Sequence, residues 1–130
     1  MSNARPRPPL SEAQIEIMNV VWERGEATVA DVWKAVAGRR KVARNTVLTM
    51  IGRLEEKGWL VRDDAGHAFR YRAAEPREAT LGSMVGRLVE TAFGGSAEGL
   101  VMALLHGRGV SKEEAGRIRR LIEQAEGKKR

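Results

Sequence analysis

Apolar residues recur at helical spacing in the first part of the chain, which predicts amphipathic helices there. Ser11, followed three residues later by Gln14, is the pattern of a capping box. It predicts the start of a first helix that Gly25 ends. Thr28 is a favourable N-cap for a second helix, which Gly38 stops. The apolar positions of the two helices are Ile17, Met18, Val21, Trp22, Val29, Val32, Trp33 and Val36.

A third helix follows a basic loop at positions 39–41. It is predicted from about position 43 to position 57, with Gly58 as its C-terminal stop. The apolar stripe of this helix consists of Val47, Met50, Ile51 and Leu54. The opposite face is polar and contains a glycine, so this helix presents a surface on which another molecule can approach closely.

The hydrophobic period then changes from helical spacing to alternation, which indicates two short strands. The strands are predicted at positions 60–63 and 68–72, with a turn at 64–67 between them. In the second strand, Phe69 and Tyr71 are expected to share one face. These segments predict a β-hairpin.

Three further helices are predicted after Pro76, which marks a boundary. A long helix is expected over positions 77–93 and a short apolar one over 96–106. Ser111 with Glu114 forms a second capping-box pattern, which predicts the start of the last helix.

The order of three helices, a hairpin and three more helices is typical of a winged helix with an appended helical segment. The predicted fold class is therefore mainly α with a small β-hairpin. We expect a disordered lead-in at 1–9, a winged-helix DNA-binding domain at 10–75 and a three-helix dimerisation region at 76–130.

Composition excludes several functions. The net charge of +6 favours phosphate-bearing partners, although many basic proteins bind none. The chain has no cysteine, which excludes disulfides, cysteine-ligated zinc and thiol catalysis. Its two histidines are far apart in sequence and no catalytic constellation accompanies them, so we expect neither an enzyme nor a metal or other cofactor. There is no signal peptide and no long apolar run, so we expect a cytoplasmic protein without membrane insertion.

The polar face of the third helix carries the predicted DNA-binding residues. Its side chains suit base edges in the major groove of double-stranded DNA, and the flanking cations suit phosphates. The predicted base-reading residues are Asn45, Thr46 and Thr49. The predicted phosphate contacts are Arg39, Arg40, Lys41, Arg44, Arg53 and Arg70. The alternative interpretation is an ordinary solvated helix face. The cluster of cations around the start of this helix favours DNA binding over that alternative.

The second half contains more apolar surface than a short three-helix segment can bury by itself. Burial against a second copy is the simpler explanation, and a homodimer would read a palindromic operator. The predicted dimer interface consists of Leu81, Met84, Val85, Leu88, Leu100, Leu104 and Leu121.

Several segments resemble the penicillinase-repressor (BlaI/MecI/CopY) family of winged-helix transcriptional repressors. Positions 10–22 (LSEAQIEIMNVVW) resemble its opening helix, and positions 46–58 (TVLTMIGRLEEKG) resemble its recognition helix. Positions 93–96 and 110–114 are similar to its C-terminal segments. The similarity extends from about residue 10 to residue 124, and the recognition-helix string is quite specific.

The resemblance implies a homodimer that represses β-lactamase or other stress and resistance genes by occupying dyad operators. A membrane sensor-protease relieves repression in the best-known branch, and paired C-terminal cysteines bind metal in the copper-responsive branch. The absence of cysteine prevents the second mechanism here. Two departures stand out: Arg44 and Asn45 precede the recognition-helix core, where relatives often have Tyr-Thr, and Ala103-Leu104 aligns with the Asn–Phe bond cleaved in relatives.

Two alternatives remain open from the sequence. One is a winged-helix protein-interaction or structural module without a specific operator. The other is an enzyme, for which the chain offers no motif. The basic cluster at positions 39–44 favours the DNA-binding reading over the interaction module, and a gel-shift against the protein's own upstream DNA would separate them.

Overall fold

The computed structural model describes residues 7–64 and 66–129. Residues 1–6 of the predicted lead-in, residue 65 of the predicted turn and residue 130 lie outside the described residues. The elements are α1 (Glu12–Arg24), α2 (Val29–Ala37), α3 (Arg44–Glu56), β1 (Leu60–Asp63), β2 (Arg70–Ala73), α4 (Arg77–Ala92), α5 (Ala97–His106) and α6 (Lys112–Lys129). This order confirms the predicted fold class.

Helices α1 and α2 begin at their predicted caps. The Ser11 hydroxyl accepts a hydrogen bond from the N–H of Gln14, whose side chain accepts one from the Ser11 N–H. Thr28 and Asp31 form the same reciprocal pair. The hydrogen bond from the Thr28 N–H holds the pKa of the Asp31 carboxyl below its usual value. Gly25 ends α1 with a φ of 88°, a conformation that glycine adopts without steric cost.

The hairpin differs from its prediction in the second strand. Strands β1 and β2 are antiparallel, with Asp63 opposite Arg70, and β2 begins at Arg70 rather than at position 68. Tyr71 is buried, whereas Phe69 precedes the strand and is 49% exposed. Phe69 thus lies outside the strand in which the pattern placed it, although its ring and the Tyr71 ring line one groove. The guanidinium of Arg62, which is opposite Tyr71 in the hairpin, lies 4.3 Å from the centroid of the Phe69 ring.

The segment between α1 and α2 adds a third partner to the hairpin. The N–H of Ala27 donates to the carbonyl of Tyr71 at 2.9 Å, and the N–H of Tyr71 donates to the carbonyl of Ala27 at 2.8 Å. Both residues are buried. A bridge of one residue has no periodicity, so the sequence pattern could not predict it.

One apolar core joins α1, α2, α3 and the hairpin. Its buried residues are Leu10, Ile17, Met18, Val20, Val21, Ala27, Val32, Val36, Val47, Ile51, Leu54, Trp59, Leu60 and Tyr71. Three of these, Val47, Ile51 and Leu54, come from one face of α3. The core therefore fixes which face of α3 is turned inward and which is left for a partner.

The chain divides into two compact units after Met84, within α4. The side chain of Met84 packs, partly buried, against the core of the first unit. Met84 was predicted for the dimer interface, but its side chain is already partly covered within its own chain. The division into domains at 10–75 and 76–130 stays a prediction.

The start of the described chain is attached to the winged helix. The Nε of Arg7 donates to the carbonyl of Gly58 at 2.8 Å, and the Arg7 guanidinium lies 5.2 Å from the centroid of the Trp59 ring. Trp59 Nε1 donates to the carbonyl of Pro8 at 3.1 Å. Residues 7 and 8 of the predicted lead-in thus contact partners far along the chain, and the disorder of the lead-in stays a prediction.

Glu75 connects this anchor to the beginning of α4. One carboxylate oxygen pairs with Arg7 at 3.2 Å, and the other accepts a hydrogen bond from the hydroxyl of Thr80 at 2.7 Å. The Glu75 carbonyl accepts a hydrogen bond from Trp22 Nε1 at 3.0 Å. Thr80 is almost fully buried. The first turns of α4 are thereby tied to α1 by satisfied polar groups.

The second unit leaves its apolar side chains uncovered. In the described chain, no residue from 85 to 127 is buried. The exposed large hydrophobic residues of this unit are Val85, Leu88, Val101, Met102, Leu104, Leu105, Leu121 and Ile122. Among the described residues no single helix is long and apolar enough to cross a membrane. Helices α4 and α5 have that length and apolar character only when taken together, and they form a bent pair.

Candidate nucleic-acid interface

Helix α3 presents a polar surface because its apolar stripe is fixed in the core. Val47, Ile51 and Leu54 are buried, and side chains about half a turn away must point outward. Asn45 and Thr49 lie on this outer face and are exposed. All three predicted base-reading residues, Asn45, Thr46 and Thr49, are therefore on the accessible surface of one helix.

Gly52 lies on the same outer face, one turn after Leu48. Apart from the adjacent residues and the backbone of the helix itself, no heavy atom of the described chain comes within 4 Å of the place that a Cβ would occupy at this position. The glycine therefore serves neither a tight turn nor internal packing. Its effect is to leave the middle of the α3 surface flat, at the usual cost in helix propensity of about 1 kcal/mol relative to alanine.

The start of α3 lacks the side-chain cap that the other helices in the winged helix have. Its N-cap is Ala43, which makes no side-chain hydrogen bond to the first turn. The connection before it is held by Trp33, whose Nε1 donates to the carbonyl of Val42 at 3.0 Å. The free N–H groups of a first turn attract anions, so this end of α3 suits a phosphate.

The predicted cations have different surroundings. Arg40 forms an ion pair with Glu16 of α1, with its Nη2 2.9 Å from the carboxylate, so part of its hydrogen-bonding capacity is used within the chain. Lys41, Arg44 and Arg53 are exposed, and no acidic group of the described chain lies within ion-pair distance of them. These three cations remain available for phosphates.

Arg39 lies on another part of the surface. It lines a groove of about 680 Å³ whose other walls come from α1 and from the beginning of α4. The groove is lined by Asn19, Trp22, Glu23, Arg39, Pro76, Arg77 and Glu78. The structure therefore separates Arg39 from the outer face of α3, although the two are close in sequence.

Two arginines of the wing pair with acidic side chains of the same chain. Arg70 lies 3.9 Å from a carboxylate oxygen of Glu26, a long and exposed pair of little energetic weight. Arg62 pairs with Asp64 at 3.0 Å and with Glu55 of α3 at 3.7 Å, besides stacking on Phe69. Sequence reasoning overlooked Arg62. Its role here is to attach the wing to the C-terminal end of α3.

No metal site accompanies this surface in the described residues. They contain no group of three or more histidine, aspartate or glutamate side chains placed to hold a metal ion. The chemistry available on α3 is hydrogen bonding by amide and hydroxyl groups, apolar contact and attraction of phosphate. This combination is the one with which a helix reads double-stranded DNA.

Known proteins similar to this chain include two bacterial regulators. The chain is 34% identical over 121 residues to the transcriptional regulator BlaI of Mycobacterium tuberculosis, covering 90% of this chain and 85% of that protein. It is 23% identical to the penicillinase repressor of Bacillus licheniformis, covering 95% of this chain and 96% of that protein.

A solved structure matches the first part of the fold. It is the monomeric form of BlaI from Bacillus licheniformis in complex with the blaP half-operator, with a TM-score of 0.50 and 27% identity over 56% of this chain and 89% of that one. The sequence model of the penicillinase repressor family matches residues 10–124. The chain therefore belongs to the penicillinase-repressor family.

Proposed function

We propose that this protein is a DNA-binding transcriptional repressor that places α3 in the major groove of a double-stranded operator. The observation that carries the proposal is the exposed polar face of α3, held outward by a buried stripe in a chain of a repressor family. A relative with the same fold was solved on a half-operator. The genes under control are proposed to be β-lactamase or other stress and resistance genes, as the names of the relatives suggest.

Each side chain has a proposed task that follows from its chemistry. Asn45 can pair with an adenine edge, and Thr46 and Thr49 can bond to base edges or make methyl contacts. Lys41 and Arg44, at the start of α3, hold phosphates and position the helix without reading sequence. Arg53 is proposed to hold a phosphate farther along the helix. Phosphate contacts are also proposed for Arg39, Arg40 and Arg70, but with less support. Arg39 lines a different groove, and Arg40 and Arg70 already pair with acidic residues of the chain.

A gel-shift experiment tests the proposed function. The full chain is titrated onto the DNA upstream of its own gene and onto a scrambled duplex of equal length at one fixed salt concentration. A repressor is expected to bind the upstream DNA at least about a thousandfold more tightly, and footprinting then locates the operator. Equal affinity for both duplexes would favour the alternative, a winged-helix interaction module without an operator.

Replacing Thr49 by Ala is expected to weaken binding to the operator by about 1–3 kcal/mol and to leave binding to scrambled DNA nearly unchanged. The matched variant is Lys41→Ala, which removes a phosphate contact instead. It is expected to weaken both duplexes similarly and to lower the slope of log K against log salt by about one. A Thr49→Ala protein with an unchanged ratio of operator to scrambled affinity would show that this face of α3 does not read bases.

We propose further that the protein acts as a homodimer on a palindromic operator. Support comes from the second unit, where side chains such as Leu88, Leu104 and Leu121 are 46%, 37% and 63% exposed in the single chain. A soluble protein rarely leaves so many large apolar groups in contact with water. Covering them with the same surface of a second copy places two α3 helices on successive turns of DNA.

Release from DNA is proposed to follow opening or cleavage of α5, which separates Gly94-Gly95 from Gly107 and contains no buried residue. A membrane sensor-protease of the kind implied by the family resemblance is the proposed partner. Ala103-Leu104 lacks an asparagine, so a protease that reads that side chain should reject this bond, and inactivation should use another bond or another trigger.

The release proposal is tested by following the chain by mass spectrometry in cells before and after a cell-wall antibiotic. We expect derepression without cleavage between Ala103 and Leu104. A fragment ending at Ala103 would contradict this expectation. Derepression while the full-length chain persists would remove proteolysis from the mechanism and leave a ligand or partner as the trigger.

A further inference from the structure

Leu48 is a large apolar side chain on the accessible surface of α3. It is 50% exposed, although it lies in the second turn of the helix between Arg44 and Gly52. Its exposed neighbours one turn earlier, Arg44 and Asn45, are polar, and the buried stripe does not include it. A leucine at this position can contact an apolar group of any molecule that approaches the helix surface between the hydrogen-bonding side chains.

One side of Leu48 borders a shallow groove between α3, the beginning of α2 and the wing. The groove has a volume of about 270 Å³. It is lined by Thr28, Val29, Ala30, Arg44, Leu48, Ala68, Phe69 and Tyr71. Phe69 forms its outer edge and is held there by Arg62, 4.3 Å from the ring centroid. Leu48 therefore forms part of the wall of this groove, next to the outer face of α3.

We propose that Leu48 is a specificity-determining residue that reads the C5-methyl group of a thymine. This inference rests on the proposed function. Thymine is the base that places an apolar group in the major groove, where the neighbouring Asn45 and Thr49 are proposed to bond to base edges. Gly52, one turn farther along, has open space around it and lets the duplex approach Leu48.

The positive charge near Leu48 favours DNA over an apolar ligand or peptide as the partner of this surface. Arg44 lines the same groove, and neither it nor Lys41 has an acidic partner in the described chain. An apolar contact bordered by unpaired cations suits a duplex, which offers a methyl group and phosphates within a few ångströms of each other. A purely apolar ligand or peptide would gain no attraction from these exposed cations.

The test replaces thymine by uracil, which removes the methyl group and keeps every hydrogen-bonding group. Each dT of the footprinted operator half-site is changed to dU in turn, and the dissociation constant of the full chain is measured. At one position of the half-site, replacing dT by dU is expected to lower the affinity of the protein about fourfold. This is the value for removing one buried methyl-sized group. Leu48→Ala is expected to bind the dT and dU operators equally, with the lower affinity. Leu48→Met, which keeps an apolar side chain, is expected to retain the discrimination.

Val61→Ala is the matched control, because Val61 is an exposed apolar residue of the wing at 37% exposure. It should leave the ratio of dT to dU affinity unchanged. If Leu48→Ala weakens dT and dU operators but preserves their ratio, Leu48 only supports the wing and the inference is overturned. Equal wild-type affinity for all dT and dU operators also overturns it. Absence of any preferred operator would instead be a failure of the proposed function.

Discussion

Replacing Leu88 by Asp is expected to convert the protein into monomers. Leu88 lies on the apolar stripe of α4 and is 46% exposed in the single chain, where water would tolerate the carboxylate. In the proposed dimer the same carboxylate would be buried without a partner, which is strongly unfavourable. The variant should fold, elute as a monomer and bind one half-site. Its affinity for the full operator should fall by about 100-fold or more, because the second half-site no longer adds to binding.

Ser83→Asp is the matched control for this variant. Ser83 is also exposed on α4, but the helical period places it on the side away from the Leu88 stripe. It should leave both mass and operator affinity unchanged. Light scattering gives the mass directly: the chain mass is 14.4 kDa, and an unmutated protein of that mass at micromolar concentration would contradict the dimer. A dimeric Leu88→Asp protein would place the interface elsewhere.

Replacing Ile51 by Ala is expected to lower the free energy of unfolding by about 2–5 kcal/mol. Ile51 is fully buried on the inner face of α3, where truncation leaves a cavity among the core residues of α1 and α2. This is a large fraction of the stability of a small domain. Urea unfolding at one fixed protein concentration measures the change, since association would otherwise shift the midpoint.

Two variants calibrate the Ile51 result. Ile51→Val removes a smaller group and should cost about 0.5–1.5 kcal/mol. Leu48→Ala removes as many carbon atoms as Ile51→Ala, but from a half-exposed position on the same helix, and should therefore cost less. If the loss at Ile51 did not exceed the loss at Leu48, α3 would not be packed with the inner face described, and its proposed DNA-reading face would be wrong with it.

The sequence predicted the helices well because their signals are local. Capping by Ser11 and Thr28 involves partners three residues away, and the stripe on α3 repeats within one helix. The outer positions of α3, including Asn45 and Thr49, follow from that stripe alone. The order of elements then indicates the fold class, and the segments at 10–22 and 46–58, with the shorter ones at 93–96 and 110–114, indicate the family.

The features that the sequence did not predict depend on distant partners. Trp33 holds the connection before α3, and Glu16 pairs with Arg40 from another helix. Phe69 follows the alternation of a strand, yet β2 begins one residue later, and Arg62 of the other strand stacks on the Phe69 ring. The sequence pattern did not indicate Leu48, because periodicity identifies apolar residues that repeat at helical spacing. A single apolar residue outside that repeat carries no such signal.

Selection of binding sites from a pool of random duplexes tests the central claim most directly. The unmutated full chain is used at physiological salt, and the bound duplexes are sequenced after several rounds. We expect an inverted repeat whose half-sites lie about one helical turn apart, with a thymine that is lost from the consensus when Leu48 is replaced by Ala. Enrichment of no sequence, or of a single half-site without a symmetric copy, would contradict a homodimer that reads its operator through α3.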